Sequence, residues 1–414
     1  WRDQNPAENI FDWSRVDADL QAAANSGKLF SFRLYTMRGV SLGGHQVPQW
    51  VLNKGAVILP NGEPDYSNCV YQAEWSKFVE AMRQKYDGNT HIAFIDISGY
   101  GSFNEWSWQD QTNTEESSLD AQARRRLADM FIGGAGTIQC RIADGQIQVV
   151  AYDYPGFQST QLVMPYAGIA PSTRYVAGRR ADIGFRHDCL GSASHTNSMM
   201  SRVGDVILNT WRKAPIVYEF CTGSTADPNF MAQAANILRL THGSIVHDNL
   251  AGQRSAPVLA TLLKFAGYRF ALLQFNHPRF IESGDAFNLS MVWANIGYAP
   301  AYPKMGQDFE LHFYLMHSGN VIRDWLINTD IATWMPADPI PGVPPPQVFN
   351  LTFQFPASSH SKIYQTKIAI INKRTGQGIN LPLLGRDPAG RYTIGAMIVP
   401  GPNIKSSFLP LVLK

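Results

Sequence analysis

No stretch of about eighteen apolar residues occurs in this 414-residue sequence, so nothing in it reads as a membrane-spanning helix. Charge of one sign is missing too. The 35 Lys and Arg against 33 Asp and Glu leave a formal +2, and the longest basic block is Arg124-Arg125-Arg126. Binding driven by phosphate neutralisation needs more than that, so nucleic acid is not an expected partner. Cysteine is scarce: Cys69, Cys140, Cys189 and Cys221 are widely spaced with no CxxC, which argues against a zinc ribbon or dithiol motif and leaves their pairing open. There is no GxSxG on which to seat a hydrolase serine and no HExxH. Gly99-Tyr100-Gly101 follows an apolar run but lacks the third glycine of a dinucleotide fingerprint.

Apolar residues make up 45% of the chain, and its length exceeds one ordinary domain, so two domains are expected. From residue 1 to about 266, short β-prone runs alternate with helical stretches, the pattern of βα units on a parallel sheet. The expected strands are Leu29 to Thr36, Ile92 to Ser98, Ile147 to Asp153, Ala181 to His187, Ile216 to Phe220 and Ser244 to His247. From 267 to 414 helical periodicity fades and strands with turn residues take over, which reads as an all-β, immunoglobulin-like sandwich. Pro336 to Pro346, with six prolines, is a stiff loop inside this second domain. A closed (β/α)8 barrel of the TIM type needs eight strands, so either two precede Trp1 or the sheet is open.

Two segments carry chemistry. In the first, the apolar run from Ile92 enters a glycine-containing loop that delivers Asn104-Glu105 beside Trp106 and Trp108. A carboxyl at the C-terminal end of a barrel strand stands where such folds keep their reactive groups, and apolar neighbours would raise its pKa, as a general acid needs. In the second, Glu219 ends the β-prone run Ile216-Val217-Tyr218. Glycosidic hydrolysis requires two carboxyls flanking one bond, and glutamates ending different strands of one barrel converge across its mouth. Glu105 follows the second visible strand and Glu219 the fifth, three strands further round.

Arg33, Asp96, Asp153, Arg186, His187, Asp188 and His247 all sit on or at the ends of expected strands, so some should line the pocket and others pair in the core. Trp50, Trp106, Trp108 and Tyr154 are candidate platforms for sugar rings. His187-Asp188-Cys189 does not read as a metal site, because neighbours on a strand point to opposite faces. Neither metal nor cofactor is expected.

Trp1 to Trp13, the Arg33-Leu34-Tyr35 strand, Val47-Pro48-Gln49-Trp50, Asn104-Glu105 and Glu219 together resemble clan-A glycoside hydrolases. More narrowly, with Arg186 to Gly191 and Gly267 to Phe270, they resemble the uncharacterised bacterial DUF4832 family, which joins such a barrel to a C-terminal β-sandwich. If two strands precede Trp1, Glu105 falls on strand four and Glu219 on strand seven, the positions of the clan's acid/base and nucleophile. The resemblance implies a secreted or envelope-facing, retaining glycosidase acting on a polysaccharide or oligosaccharide, with Asn104 bonding the sugar 2-hydroxyl. A retaining mechanism sets the carboxyls roughly 5–5.5 Å apart. The alternative is a non-catalytic carbohydrate-binding protein on the same scaffold.

Overall fold

The computed structural model describes residues 1–39, 42–107, 118–221, 228–247, 260, 262–357 and 362–400. The chain forms two compact units, Trp1–Gly267 with Lys304–Gly306, and Tyr268–Pro303 with Gln307–Lys414. Among the described residues no helix is long and apolar enough to cross a membrane.

The first unit is built on a parallel sheet of β1 (Phe30–Phe32), β2 (Ile92–Asp96), β5 (Leu162–Tyr166), β6 (Gly184–His187), β7 (Ile216–Glu219) and β8 (Ile245–His247), in that order. Helices α1 (Ser14–Asn25), α3 (Cys69–Tyr86), α4 (Leu119–Ile132), α5 (Ala170–Arg179), α6 (Ala193–Thr210) and α7 (Pro228–Leu240) lie between the strands, with the short α2 (Gln49–Asn53) before α3. The longest apolar stripe shows why these segments coil. On α3, Trp75, Phe78, Val79, Met82 and Tyr86 recur at helical spacing and are all buried, while Asn68 caps the start by accepting a hydrogen bond from the Tyr71 amide.

A closed eight-stranded barrel is not what the described residues form. The sheet has six strands, and its edges β1 and β8 have no further partner among the described residues. It is nevertheless curled, because Arg33 beyond β1 and His247 at the end of β8 border one cavity. One expected strand was also misplaced. Ile147–Tyr154 is β4, which pairs with β3 (Gly134–Arg141) in a separate antiparallel hairpin, and its residues alternate between exposed and half-buried towards its end. The third strand of the sheet is instead Leu162–Tyr166, buried throughout although it carries Pro165, and it lies inside Pro155 to Arg180, a stretch expected from the sequence to be a loop.

In the second unit β9 (Phe270–Asn276), β10 (Ala286–Asn295) and β13 (Gln347–Gln354) form one antiparallel sheet. The other holds β11 (Phe309–His317), β12 (Asn320–Ile327), β14 (Lys362–Asn372) and β15 (Tyr392–Val399). Phe309, Leu311, Phe313 and Leu315 alternate inwards along β11 and share a core with Trp293 and Phe287 of the facing sheet, the two-layer logic of a sandwich.

All four cysteines are paired, as Cys69–Cys140 and Cys189–Cys221. The second bond ties the segment leaving β6 to the segment leaving β7, and the Leu190 amide adds a 2.9 Å hydrogen bond to the Glu219 carbonyl.

Candidate active site

Parallel strands present their C-terminal ends on one side, and there the charged residues gather around a cavity of about 630 Å³. Strand parity selects them. On β2, Phe94 and Asp96 face the cavity while Ile95 and Ile97 enter the core; on β7, Val217 and Glu219 face it.

Glu105 reaches the cavity on a strained loop. Gly99 and Gly101 have φ of 108° and 77°, and a Cβ on Gly101 would lie 2.8 Å from the Ser107 carbonyl oxygen. Phe103, Asn104 and Trp106 adopt left-handed backbone although none is glycine, a cost that persists only where the surroundings enforce it and that collects at functional sites.

The cluster is an ion network. Arg33 donates from Nη2 to Glu105 Oε1 at 2.9 Å, and its Nε lies 3.7 Å from Asp96. Arg186 donates to Asp96 at 3.2 Å, lies 3.6 Å from Asp188, and hydrogen-bonds Glu219. His247, in register with Glu219, places Nδ1 3.3 Å from its carboxylate. Glu105, Asp188 and Glu219 each present an oxygen, all within 4.8 Å of one another. Three carboxylates so close also resemble a donor set for a hard cation, but two guanidiniums already supply positive charge there, and we assign no metal.

The surroundings split the two glutamates. Burial opposes ionisation of Glu219, yet the His247 hydrogen bond and the guanidiniums of Arg186 and Arg33 outweigh it and hold the group down at about 2. Glu105 moves the other way: burial raises it, the neighbouring charge on Glu219 adds to this, and Arg33 only partly offsets them. One carboxyl is therefore held charged beside another biased towards its proton, the division of labour that acid-assisted displacement needs.

Several expected site residues lie elsewhere. Asn104 is fully buried and spent: its Oδ1 accepts from the Thr36 amide at 2.6 Å, and its Nδ2 donates to Thr36 Oγ1 and the Gly101 carbonyl. It holds the Glu105 loop to the segment after β1 and has no donor left for a sugar. Asn104→Ala is accordingly expected to destabilise the protein by about 1–3 kcal/mol, the cost of orphaning buried polar partners, as read from urea unfolding. Trp106 is wholly buried, with its indole donating to the Ile97 carbonyl. Trp50 sits on α2 and donates to the Asn5 carbonyl, away from the cavity. Asp153 and Tyr154 belong to the hairpin; Asp153 is exposed and the Tyr154 hydroxyl accepts from Arg126. His187 follows Arg186 on β6 and so points to the opposite face, where it is buried against the Tyr166 carbonyl and burial lowers it to about 4. Trp108 lies outside the described residues. Among the described residues, the aromatic rings that line the cavity are Phe32, Tyr35, Phe94 and Phe103. Phe94 was readable, being in phase with Asp96.

No family model matches the chain, and neither does any curated protein. Among solved structures it is similar to an endo-glycoceramidase II from Rhodococcus sp., at 12% identity and a TM-score of 0.37, over 86% of this chain and 87% of that one. A CARDB domain from Pyrococcus furiosus aligns at 11% identity and a TM-score of 0.20, over 32% of this chain and 93% of that domain. A β-glucosidase from Kluyveromyces marxianus aligns at 7% identity and a TM-score of 0.14, over 56% of this chain and 34% of that one.

Proposed function

We propose that the first unit is a retaining glycoside hydrolase acting on an oligosaccharide or polysaccharide, with Glu219 as nucleophile and Glu105 as acid/base. The observation that carries this reading is the approach of the two carboxylates, whose oxygens come within 4.8 Å of each other. An oxygen-to-oxygen approach of this size accords with the roughly 5–5.5 Å carboxyl separation of retaining enzymes. Glu219 attacks the anomeric carbon as Glu105 gives its proton to the leaving oxygen. Glu105, now a carboxylate, then takes a proton from the water that releases the sugar from Glu219. Arg33 and Arg186 fix both carboxylates, and Phe32, Tyr35 and Phe94 offer flat apolar faces to the ring.

The sandwich serves on this reading as a packing or accessory sugar-binding module. The narrower likeness to the DUF4832 family rests on the sequence segments alone. Two disulfides favour an oxidising compartment and so support the secreted or envelope-facing expectation.

The test is hydrolysis of a panel of aryl glycosides and bacterial exopolysaccharides, with product stereochemistry followed by proton NMR. Retained configuration at the anomeric carbon supports the reading, whereas inverted product sinks it. Sugar binding without turnover would favour the non-catalytic alternative. The pH profile has an expected sign: Glu105 must be protonated in the free enzyme, so kcat/KM falls as pH rises through its raised pKa. The acid limb, set by Glu219, lies near pH 2 or is overtaken by unfolding.

A further inference from the structure

The mechanism uses two carboxyls, but the space between β2, β6 and β7 holds more acid than that. Among the described residues, Asp96, Glu105, Asp188 and Glu219 face two guanidiniums, those of Arg33 and Arg186. His247, on β8, is 55% exposed and touches Glu219. Asp188 is the member with the poorest compensation. Among the described residues it forms one ion pair, with Arg186 Nε at 3.6 Å, and no hydrogen bond reaches its buried Oδ1. It does not border the cavity itself, yet its carboxyl stands within 4.8 Å of both Glu105 and Glu219.

Asp188 cannot swing away. It sits between Arg186 of β6 and Cys189, whose backbone is left-handed and whose sulfur is bonded to Cys221 just beyond β7. The Leu190 amide is hydrogen-bonded to the Glu219 carbonyl. The fold thus clamps a third acid beside the reacting pair, whose charges oppose its ionisation. Glu219 has Arg186 and His247 to keep its charge, so the proton the cluster needs falls to the other two.

We propose that Asp188 is a positioning residue that holds one proton in common with Glu105, so that the two form a single proton store from which the leaving group is supplied. The inference rests on the acid role given to Glu105 above. Its physical consequence does not require turnover: two acids that share a proton titrate in two steps belonging to the pair. Burial and the charges of Glu105 and Glu219 push the Asp188 carboxyl well above the usual carboxylate range, in the direction this requires.

The test is a carbon-13 NMR titration of protein labelled at the glutamate side-chain carboxyls, with the Glu105 signal assigned by its loss in Glu105→Gln. In the wild type, the Glu105 signal is expected to move in two steps at least about one pH unit apart. In Asp188→Asn, and in Asp188→Ser as a second variant, the upper step should vanish and the lower remain. A single Glu105 step in the wild type overturns the proposal, whatever the variants do. So do two steps that survive in both Asp188 variants and disappear in Glu219→Gln, since the sharing partner would then be Glu219. The hydrolase reading is judged separately by turnover of the glycoside panel, so an inactive protein with a two-step Glu105 titration sinks that reading and the leaving-group role with it, while the shared proton itself stands.

Discussion

Glu219→Gln is expected to lower kcat/KM for an aryl glycoside by roughly 10⁴-fold or more, because the substitution removes the atom that bonds to the sugar. Glu105→Gln should behave differently with the same substrates. A good phenolate leaving group departs without a proton, so the first step is largely spared, while release of the sugar from Glu219 loses its base. The expected sign is a burst of phenol followed by slow turnover, with the overall loss nearer 10²–10⁴-fold. A small anion such as azide, entering the space that truncation to alanine opens, should restore part of the activity in Glu219→Ala and in Glu105→Ala. With Glu219→Ala it should give product of inverted configuration, and with Glu105→Ala product of retained configuration. Equal losses in the two Gln variants, with no rescue in either Ala variant, would contradict the assignment of roles.

The largest stability effect is expected at Arg186. This side chain is 9% exposed and meets Asp96, Asp188 and Glu219 together. Arg186→Met leaves three partly or wholly buried carboxyls with one guanidinium fewer, a change expected to cost about 3–5 kcal/mol. The direction with pH follows from proton counting. Asp96 and Asp188 already lie above their ordinary range through burial, and losing Arg186 raises them further. The folded state then binds more protons than the unfolded chain from about pH 4 upwards, so stability falls as pH rises until the folded groups finally ionise. Urea unfolding at pH 5 and pH 8 should show a deficit in Arg186→Met that is larger at pH 8. Arg186→Lys, which keeps the charge without the planar fork, should recover only part of it. A pH-independent deficit would mean that packing, not charge, is the main contribution of Arg186.

The sequence made the alternation of strand and helix readable, because buried parallel strands are short unbroken apolar runs such as Ile92 to Ile95 and Ile216 to Tyr218. It misled where an apolar run was not buried: Ile147 to Asp153 has strand composition but belongs to a hairpin, while Leu162–Tyr166 fell inside the expected loop from Pro155 to Arg180. The two errors cancel in the strand count, so the three-strand offset between Glu105 and Glu219 holds. Of the polar strand-end residues, parity decides which meet. Arg186 and Asp96 point to the cavity, and His187 cannot. Asn104 and Trp106 were beyond reach of pattern reading, because left-handed backbone on either side of Glu105 turns both inwards. Asp188 stood in view as a strand-end acid, but its closeness to Glu105 depends on how two strands are spaced, which no single segment encodes.

The tie between Cys189 and Cys221 gives the chemistry a dependence on redox history. Chain made where thiols stay reduced would lose the Cys69–Cys140 bond that ties the first residue of α3 to β3. Its mouth would also be assembled without the crosslink that sets the ends of β6 and β7 side by side. Activity measured on such material would speak for the reduced chain and not for the oxidised protein.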